Sequence, residues 1–311
     1  MICVTAPSRL HFGLIRTSGS FGGVGVMIDR PRVRLTVTPH ARFKICGAAS
    51  KRVQAICRRW SEYYQAPLPD CRVDVQDCPR QHQGLGLGTQ LSLAVTAGLN
   101  AFSGRDYASP LELASSSNRG KRSAVGTYGF GAGGFIYEVG KRAPGSLSSL
   151  GCRLDFPASW RFVLIQPAVA EGLSGGKEVA AFSRLTDSPP AAAWLTKEIH
   201  ERMIPALENH WFDRFSDSVY HYGRRSGLCF ASIQGGPYNG KELAELVHTV
   251  RSLGVRGVGQ SSWGPTIFAI LPSHHAARRL QRELRAIYDD RHEISIAGPD
   301  NRGATIDVRE R

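Results

Sequence analysis

The sequence has few lysines, few methionines and no long apolar run. Only 7 of its 39 cationic side chains are Lys, and it has 3 Met. No uninterrupted apolar stretch approaches the roughly 20 residues that a membrane-spanning helix needs. The first residues, MICVTAPSRLHF, lack the basic start and apolar segment of a signal peptide. These absences predict a soluble cytoplasmic protein that does not act at a membrane.

Metal-binding cysteine patterns are also missing. The 7 Cys are scattered, and no Cys-x-x-Cys pair or zinc-knuckle spacing occurs. We therefore expect reduced thiols and no structural zinc site.

The charge is strongly positive. Lys and Arg total 39 against 26 Asp and Glu, a formal net charge of +13. Such a surface attracts nucleic acid, acidic membranes or phosphorylated metabolites. Arg in particular offers a planar fork for phosphate and carboxylate. A bias in genome composition is an alternative explanation of the Arg content, and the sequence leaves both open.

The length of 311 residues favours two domains. Residues 140–159 contain Pro144, Gly145 and Pro157, so we place the boundary there, with domains at 1–158 and 159–311. Apolar patterning predicts an α+β protein. The predicted strands are 2–5, 33–38, 42–46 (pairing with 33–38), 71–76, 135–139, 160–166, 264–271 and 294–297. The predicted helices are 51–64, 89–100, 111–117, 191–206, 211–224, 241–252 and 273–288.

A glycine-rich loop precedes the second predicted helix. Gly84, Gly86 and Gly88 are followed by Thr89 and Gln90. Glycines let backbone N–H groups converge, and a helix N-terminus adds unpaired donors and a positive dipole. This combination favours phosphate or diphosphate binding. The spacing fits neither the Walker loop nor the dinucleotide fingerprint, and a purely structural turn is the alternative.

Two basic segments are further candidates. Arg9 and His11 occupy alternate positions of the first strand and hence one face, where they could contact phosphate or carboxylate. Arg119, Lys121, Arg122 and Ser123 precede a second glycine-rich stretch, 126–134, which leads into the predicted strand 135–139. A solvated charged face is the alternative for this basic cluster.

Acidic candidates follow the strand at 160–166. Glu171 and Glu178, with Ser174 between them, are candidates for acid/base chemistry and substrate binding. Glu171 and Thr89 are the candidate Mg²⁺ ligands. The alternative is a helix start decorated with Glu.

A third segment, GVGQSSWGP, lies near the other end of the chain. Gly259, Gln260 and Ser261 are candidate substrate-binding residues. Trp263 could stack on an aromatic substrate, or it could be an ordinary buried core residue.

The order of the three segments resembles the motifs of the GHMP superfamily. Ala6-Pro7-Ser8-Arg9 matches its first motif, the glycine loop its phosphate motif, and GVGQSSWGP its glycine-rich C-terminal turn. The resemblance implies an N-terminal domain like ribosomal protein S5 domain 2 and a ferredoxin-like C-terminal domain, in agreement with our boundary.

Departures from the kinases point to one branch of that superfamily. Gly126 stands where the kinases carry a catalytic Asp, and Thr89-Gln90 replaces their Ser-Ser. The segments SRLHFGL, HQGLGLGTQLSLA, RGKRSAVGTYGFGAGGF and EGLSGGKE resemble the β-ribofuranosylaminobenzene 5′-phosphate synthase family. That family joins 5-phosphoribosyl 1-diphosphate to 4-aminobenzoate, releasing CO2 and diphosphate, on the route to methanopterin-type carriers. The resemblance implies a transferase that uses Mg²⁺, and we expect small-molecule substrates and a homodimer.

Two other function classes stay open at this stage. An ATP-dependent GHMP kinase shares the loop but needs a carboxylate to deprotonate its alcohol. An RNA-binding protein would suit the positive charge, but the basic residues are scattered and no RNA-binding motif occurs, so we predict no nucleic-acid partner.

Overall fold

The computed structural model describes residues 1–80, 82–106, 108–168, 180 and 182–309. The strands form two sheets, of seven and of four strands, and helices pack against both. The predicted α+β class is confirmed. Among the described helices, none combines the length and the apolar character needed to cross a membrane.

The first sheet is built around two long strands, β1 and β2, which pair antiparallel. The order is β11-β1-β2-β4-β3, and β5 pairs with the first half of β2 and with β6. Its strands are β1 (Ile2–Leu14), β2 (Gly23–Pro39), β3 (Lys44–Gly47), β4 (Cys71–Asp77), β5 (Phe135–Gly140), β6 (Ser149–Leu154) and β11 (Thr305–Val308).

Four helices accompany this sheet: α1 (Ser50–Tyr64), α2 (Leu87–Phe102), α3 (Pro110–Ser116) and α4 (Val125–Ala132). Helix α1 buries Val53, Ile56, Cys57 and Trp60, the apolar stripe that its spacing predicts. Helix α2 is buried on nearly all sides. Its first turn is therefore the part that can meet a ligand.

The second sheet has the order β10-β7-β9-β8. Its strands are β7 (Arg161–Pro167), β8 (Val258–Gln260), β9 (Ile267–Leu271) and β10 (His292–Ala297). The helices of this half are α5 (Pro189–Glu198), α6 (Ile204–Glu208), α7 (Phe212–Leu228), α8 (Ala231–Gln234), α9 (Lys241–Ser252) and α10 (His274–Tyr288). A π-helical turn, Ile199–Met203, joins α5 to α6, and a 3₁₀ turn, Asp289–Arg291, follows α10.

Aromatic side chains join the two halves. Phe215 of α7 lies 6.5 Å from Phe12 of β1 and 6.3 Å from Phe135 of β5, measured between ring centroids. All three rings are buried and belong to one hydrophobic cluster. The contact seats α7 against the first sheet, so the ends of β1 and α2 lie beside residues from the second half.

The structure corrects one predicted strand pairing and shows a helix, α4, that was not predicted. Strand β3 pairs in parallel with β4, not with β2, because β4 occupies the adjoining edge of β2. The stretch 126–134, for which no element was predicted, is mostly helix α4. Its glycines permit close packing: a Cβ on Gly129 would overlap the Met27 side chain of β2.

Three strands were not predicted: β6, β8 and β11. Two of them bear on the division of the chain. Strand β6 lies inside the stretch where composition placed the boundary. Strand β11 leaves the second half and pairs with Ile2–Thr5 of β1. The division into 1–158 and 159–311 stays a prediction.

Candidate functional site

The three predicted motifs meet at one place. The backbone N–H of His11 donates to the Ser261 hydroxyl (3.0 Å), and that hydroxyl donates to the Gly84 carbonyl (2.8 Å). Ser262 returns a backbone hydrogen bond to the His11 carbonyl (3.2 Å). One buried serine therefore ties the end of β1, the glycine loop and the third motif together.

The glycine loop needs glycine at two positions. Gly84 and Gly86 have φ angles of +80° and +68°, a region that side chains with a Cβ avoid. Helix α2 begins at Leu87, two residues before the predicted start, so Gly88, Thr89 and Gln90 belong to its first turn. The N–H groups of Thr89 and Gln90 donate to the Gly86 carbonyl (2.9 and 3.1 Å). The first N–H groups of a helix, here those of Leu87 and Gly88, have no acceptor within the helix and can bind a ligand.

A pocket of about 580 Å³ opens at this first turn. Five cationic side chains line it: Arg9, Arg52, Arg119, Lys121 and Arg122. No Asp or Glu lines it within the described parts of the chain. The pocket is therefore strongly electropositive, and anions are the ligands that it favours.

One side of the α2 start holds Arg9. A Cβ on Gly86 would lie 2.8 Å from the Arg9 Nε, so glycine makes room for this guanidinium. One helical turn later, the Gln90 amide donates to the Gly126 carbonyl of α4 (2.8 Å). This side of the helix thus combines the guanidinium predicted from β1 with Gly126, the position at which the sequence resemblance predicts the departure from the kinases.

His11 lies in the pocket wall beside Arg9 and is buried. Burial, and secondarily the charge of Arg9, lowers its pKa well below the usual 6.5. His11 is consequently neutral at physiological pH. It can accept or donate a hydrogen bond there, but it adds no charge toward a phosphate.

The opposite side of the α2 start holds two more guanidinium groups. A Cβ on Gly88 would overlap the Arg52 guanidinium. The Arg119 Nε and Nη2 donate to the Ser92 hydroxyl (3.0 and 2.8 Å), which itself donates to the Gly88 carbonyl (2.9 Å). Sequence reasoning missed Arg52, because it lies on α1 among Lys51, Arg58 and Arg59 and resembles a solvated charged face.

The turn before α4 brings Lys121, Arg122 and Ser123 to the pocket. A buried carboxylate fixes this turn: the Ala124 N–H donates to Glu138 Oε2 of β5 (2.7 Å). Burial raises the pKa of Glu138. Glu138 was also missed, because a single Glu in an apolar strand carries no sequence signal for such a role.

The remaining predicted residues divide into three groups. Gln260 and Thr89 line the pocket. Gln90 and Ser261 are fully buried in its supporting wall, and Gly259 packs against Phe268. The segment with Glu171, Ser174 and Glu178 lies outside the described residues.

An aromatic wall of Phe182, Phe230 and Trp263 closes one side of the pocket. Their ring centroids are 4.9–5.7 Å apart, and the rings meet edge to face. The Arg122 Cζ lies 4.8 Å from the Phe182 centroid. Trp263 is thus a buried, packed residue that also lines the pocket. Its stacking on an aromatic substrate stays a prediction.

The described residues do not by themselves form a magnesium site. Mg²⁺ in proteins is usually held by one or two carboxylates together with substrate phosphates. The lining offers the Thr89 hydroxyl and, in the parts of the chain described, no carboxylate. The described residues likewise contain no group of three or more His, Cys, Asp or Glu able to hold a metal ion.

Comparison with solved structures settles the fold. A homoserine kinase from Listeria monocytogenes aligns with a TM-score of 0.71 over 100% of both chains at 14% identity. The phosphomevalonate kinase of Streptococcus pneumoniae aligns with a TM-score of 0.70 over 96% of this chain and 99% of its own, at 12% identity. The family model "GHMP kinases C terminal" matches residues 203–290. The chain has the GHMP-kinase fold.

Sequence similarity to curated proteins indicates more than the fold. A protein of Archaeoglobus fulgidus named beta-ribofuranosylphenol 5'-phosphate synthase is 28% identical over 99% of this chain and 100% of its own length. A protein of the same name from Methanothermobacter thermautotrophicus is 27% identical over 86% of this chain and 88% of its own. The resemblance to this synthase branch of the GHMP fold, predicted from the motifs, is confirmed.

Proposed function

We propose that the protein is an enzyme that makes a ribofuranosyl-phosphate product. In detail, it joins 5-phosphoribosyl 1-diphosphate to 4-aminobenzoate and releases CO2 and diphosphate, a step in the biosynthesis of methanopterin-type carriers. The observation that carries the proposal is the electropositive pocket around the first turn of α2. The name that three relatives share, beta-ribofuranosylphenol 5'-phosphate synthase, supports a ribofuranosyl-phosphate product.

The donor is a strong match for this pocket. It carries a diphosphate and a monophosphate, and the pocket supplies five cations with helix N–H groups between them. Positive groups aimed at the diphosphate stabilise the charge that develops on it as the ribosyl C1–O bond breaks. The excess of Arg over Lys suits such substrates because guanidinium binds phosphate through two parallel hydrogen bonds.

The chemistry needs no base at the ring. As the C1–O bond breaks, its electron pair leaves with the diphosphate and C1 gains oxocarbenium character. The ring carbon that bears the carboxylate attacks C1 and forms the new C–C bond. The bond from that carbon to the carboxylate then breaks, its electron pair restores the aromatic ring, and CO2 departs.

The surroundings of Gly126 favour this reaction over a kinase reaction. A kinase acting on an alcohol needs a base near the transferred phosphoryl group. The Gly126 carbonyl is instead bound by the Gln90 amide, and a Cβ there would lie 3.3 Å from the Gln90 Nε2 and 3.9 Å from Arg9 Cδ. The Gln90 amide and the Arg9 side chain fill this space, so the position provides no carboxylate that could act as a base.

Two acceptors, 4-aminobenzoate and 4-hydroxybenzoate, are compatible with the proposal. The relatives' name specifies a phenol product, which a 4-hydroxybenzoate acceptor would give, whereas 4-aminobenzoate gives an aniline. Both para substituents push electrons to the attacking carbon. The aromatic wall beside Arg122 suits either ring and its carboxylate.

The proposal also covers the metal ion, the oligomeric state and the cellular location. We propose that Mg²⁺ enters with the donor's diphosphate oxygens, where it would neutralise charge, with Thr89 and Glu171 as the candidate protein ligands. Glu171 or Glu178 is the proposed acid/base partner of the acceptor amine. A cytoplasmic homodimer that binds neither nucleic acid nor membrane remains our expectation.

The test is CO2 release from carboxyl-labelled acceptor. Purified protein, Mg²⁺ and 5-phosphoribosyl 1-diphosphate are incubated with labelled 4-aminobenzoate or 4-hydroxybenzoate, and a parallel tube receives ATP in place of the donor. We expect donor-dependent label release and stoichiometric diphosphate. Arg9→Gln should reduce release, while Arg58→Gln, on α1 but outside the pocket, should not. Release from neither acceptor, or ADP formation in the ATP tube, would contradict the proposal.

A further inference from the structure

The start of α2 presents cations on two faces. Successive residues of a helix are about 100° apart, so Gln90 and Ser92 point in directions about 200° apart. Gln90 belongs to the face with Arg9, and Ser92 to the face with Arg119. Gly86 makes room for Arg9 and Gly88 for Arg52, so each face has its own glycine and its own guanidinium.

Arg119 lies beside other cations in the pocket wall. It is partly buried, and its guanidinium donates twice to the neutral Ser92 hydroxyl. Within the described residues no ion pair involves it. Burial, together with the charges of Arg52 and Arg59, lowers its pKa to about 10. The side chain still carries its charge at neutral pH, held beside like charges.

We propose that Arg52 and Arg119 form a phosphate-monoester subsite, separate from the diphosphate site on the Arg9 face. Its ligand is the 5-phosphate of the ribosyl donor, and in this respect the inference rests on the proposed function. A phosphate dianion has three acceptor oxygens, enough for the forks of two guanidinium groups. A substrate with phosphate at both ends would then span the helix start, with the ribose between the two faces.

The arrangement distinguishes a bis-phosphorylated donor from a nucleoside triphosphate. The phosphates of a nucleoside triphosphate form one continuous chain, for which one cationic face suffices. Two guanidinium groups on the second face match a second, separate phosphate group. Glycine at position 88 has no positive φ to explain it, so its small size is explained by the approach of Arg52.

Direct binding tests the subsite without turnover. Ribose 5-phosphate and inorganic diphosphate are titrated separately into the full-length protein by calorimetry. We expect Arg119→Gln and Arg52→Gln each to weaken ribose 5-phosphate binding about tenfold to a hundredfold, since each removes charge-assisted hydrogen bonds. Diphosphate binding should change by less than about threefold in these variants. Arg9→Gln should show the reverse pattern, and Arg58→Gln should change neither.

Second variants guard against a folding defect. Arg119→Lys keeps the charge but loses the fork, and should recover part of the lost affinity. Gly88→Ala would push Arg52 aside while favouring the helix, so it should weaken ribose 5-phosphate binding with no loss of thermal stability.

Each outcome decides the matter. The subsite is overturned if the wild-type protein does not bind ribose 5-phosphate, if both ligands weaken equally, or if only diphosphate weakens in the Arg119 and Arg52 variants. If the Arg119 and Arg52 variants selectively lose ribose 5-phosphate binding but the wild-type protein forms no product, the subsite is supported and the synthase activity is refuted. If the wild-type protein forms product but these variants bind ribose 5-phosphate as tightly as it does, the synthase activity is supported and the subsite is refuted.

Discussion

Two glycine-rich stretches of this chain have similar composition and different structures. Gly84 and Gly86 adopt positive φ angles and open a pocket at the start of α2. Gly126 and Gly129 lie inside α4, where their missing side chains let the helix approach Gln90 and Met27. Glycine is needed in the first pair for its backbone conformation. In the second pair it is needed because a side chain would hinder the packing of α4. Replacing glycine should therefore impair the site in the first stretch, and in the second it should reduce stability without impairing the site.

The largest effect should follow Gly84→Ala. Its φ of +80° disfavours a Cβ, which would also overlap the Ser261 backbone oxygen. The link between the loop and the third motif would shift, and displacements of about 1 Å can cost about a hundredfold in rate. We expect turnover to fall by about that factor and the free energy of unfolding by about 1–3 kcal/mol. Steady-state kinetics and urea denaturation check both, and unchanged kinetics would remove the functional half of the comparison.

Gly129→Ala should separate stability from activity. The new Cβ would overlap Met27 Sδ in the buried interface between α4 and β2. Overpacking of this kind costs about 1–3 kcal/mol. We expect a lower melting temperature with KM for the donor within about twofold of wild type at a temperature where both are folded. A selective rise in KM would show that α4 contributes to the site directly.

Low pH should reduce the free energy of unfolding through His11. Its folded pKa lies well below 6.5, so below about pH 6.5 the unfolded chain binds a proton that the folded protein does not. Stability should therefore fall as pH drops from about 6.5 toward the folded pKa, by up to about 1.4 kcal/mol per pH unit. Urea denaturation across this range, compared with His11→Asn, measures the contribution. An identical slope in the variant would assign the acid sensitivity to other groups.

The smallest effect should follow Gly126→Ala. A Cβ there would lie 3.3 Å from the Gln90 Nε2, a tight contact with a side chain that can move slightly. Alanine also favours a helix by up to about 1 kcal/mol relative to glycine. We expect these terms to offset each other, leaving unfolding free energy within about 1 kcal/mol of wild type. A loss of more than about 1 kcal/mol would mean that this position is packed as tightly as Gly129.

The parts of the site that were predictable from sequence are those with local causes. Glycines before an apolar segment identify the α2 loop, since the required backbone angles and the helix both depend on adjacent residues. Alternation places Arg9 and His11 on one face of β1, and both line the pocket. The apolar spacing of α1 and α9 likewise predicts their helices closely.

The features of the site that were not predicted from sequence depend on residues that are distant in the chain. Composition cannot tell a glycine that turns the chain from one that lets a neighbour pack closely, so α4 was not predicted. Arg52 acquires its role only because Gly88 packs against it, 36 residues away in the sequence. Glu138 matters through the Ala124 N–H, which only the tertiary structure brings to it.

The pairing of β11 with β1 has a consequence for synthesis of the protein. The Met1 ammonium donates to the Arg309 carbonyl (2.8 Å), and Ile2 pairs with Val308. A ribosome therefore releases β1 long before the strand that covers its outer edge. Until then, β1 exposes unpaired backbone groups that another nascent chain could bind. Shielding by chaperones during translation would matter most at this strand, although the binding pocket lies at its other end.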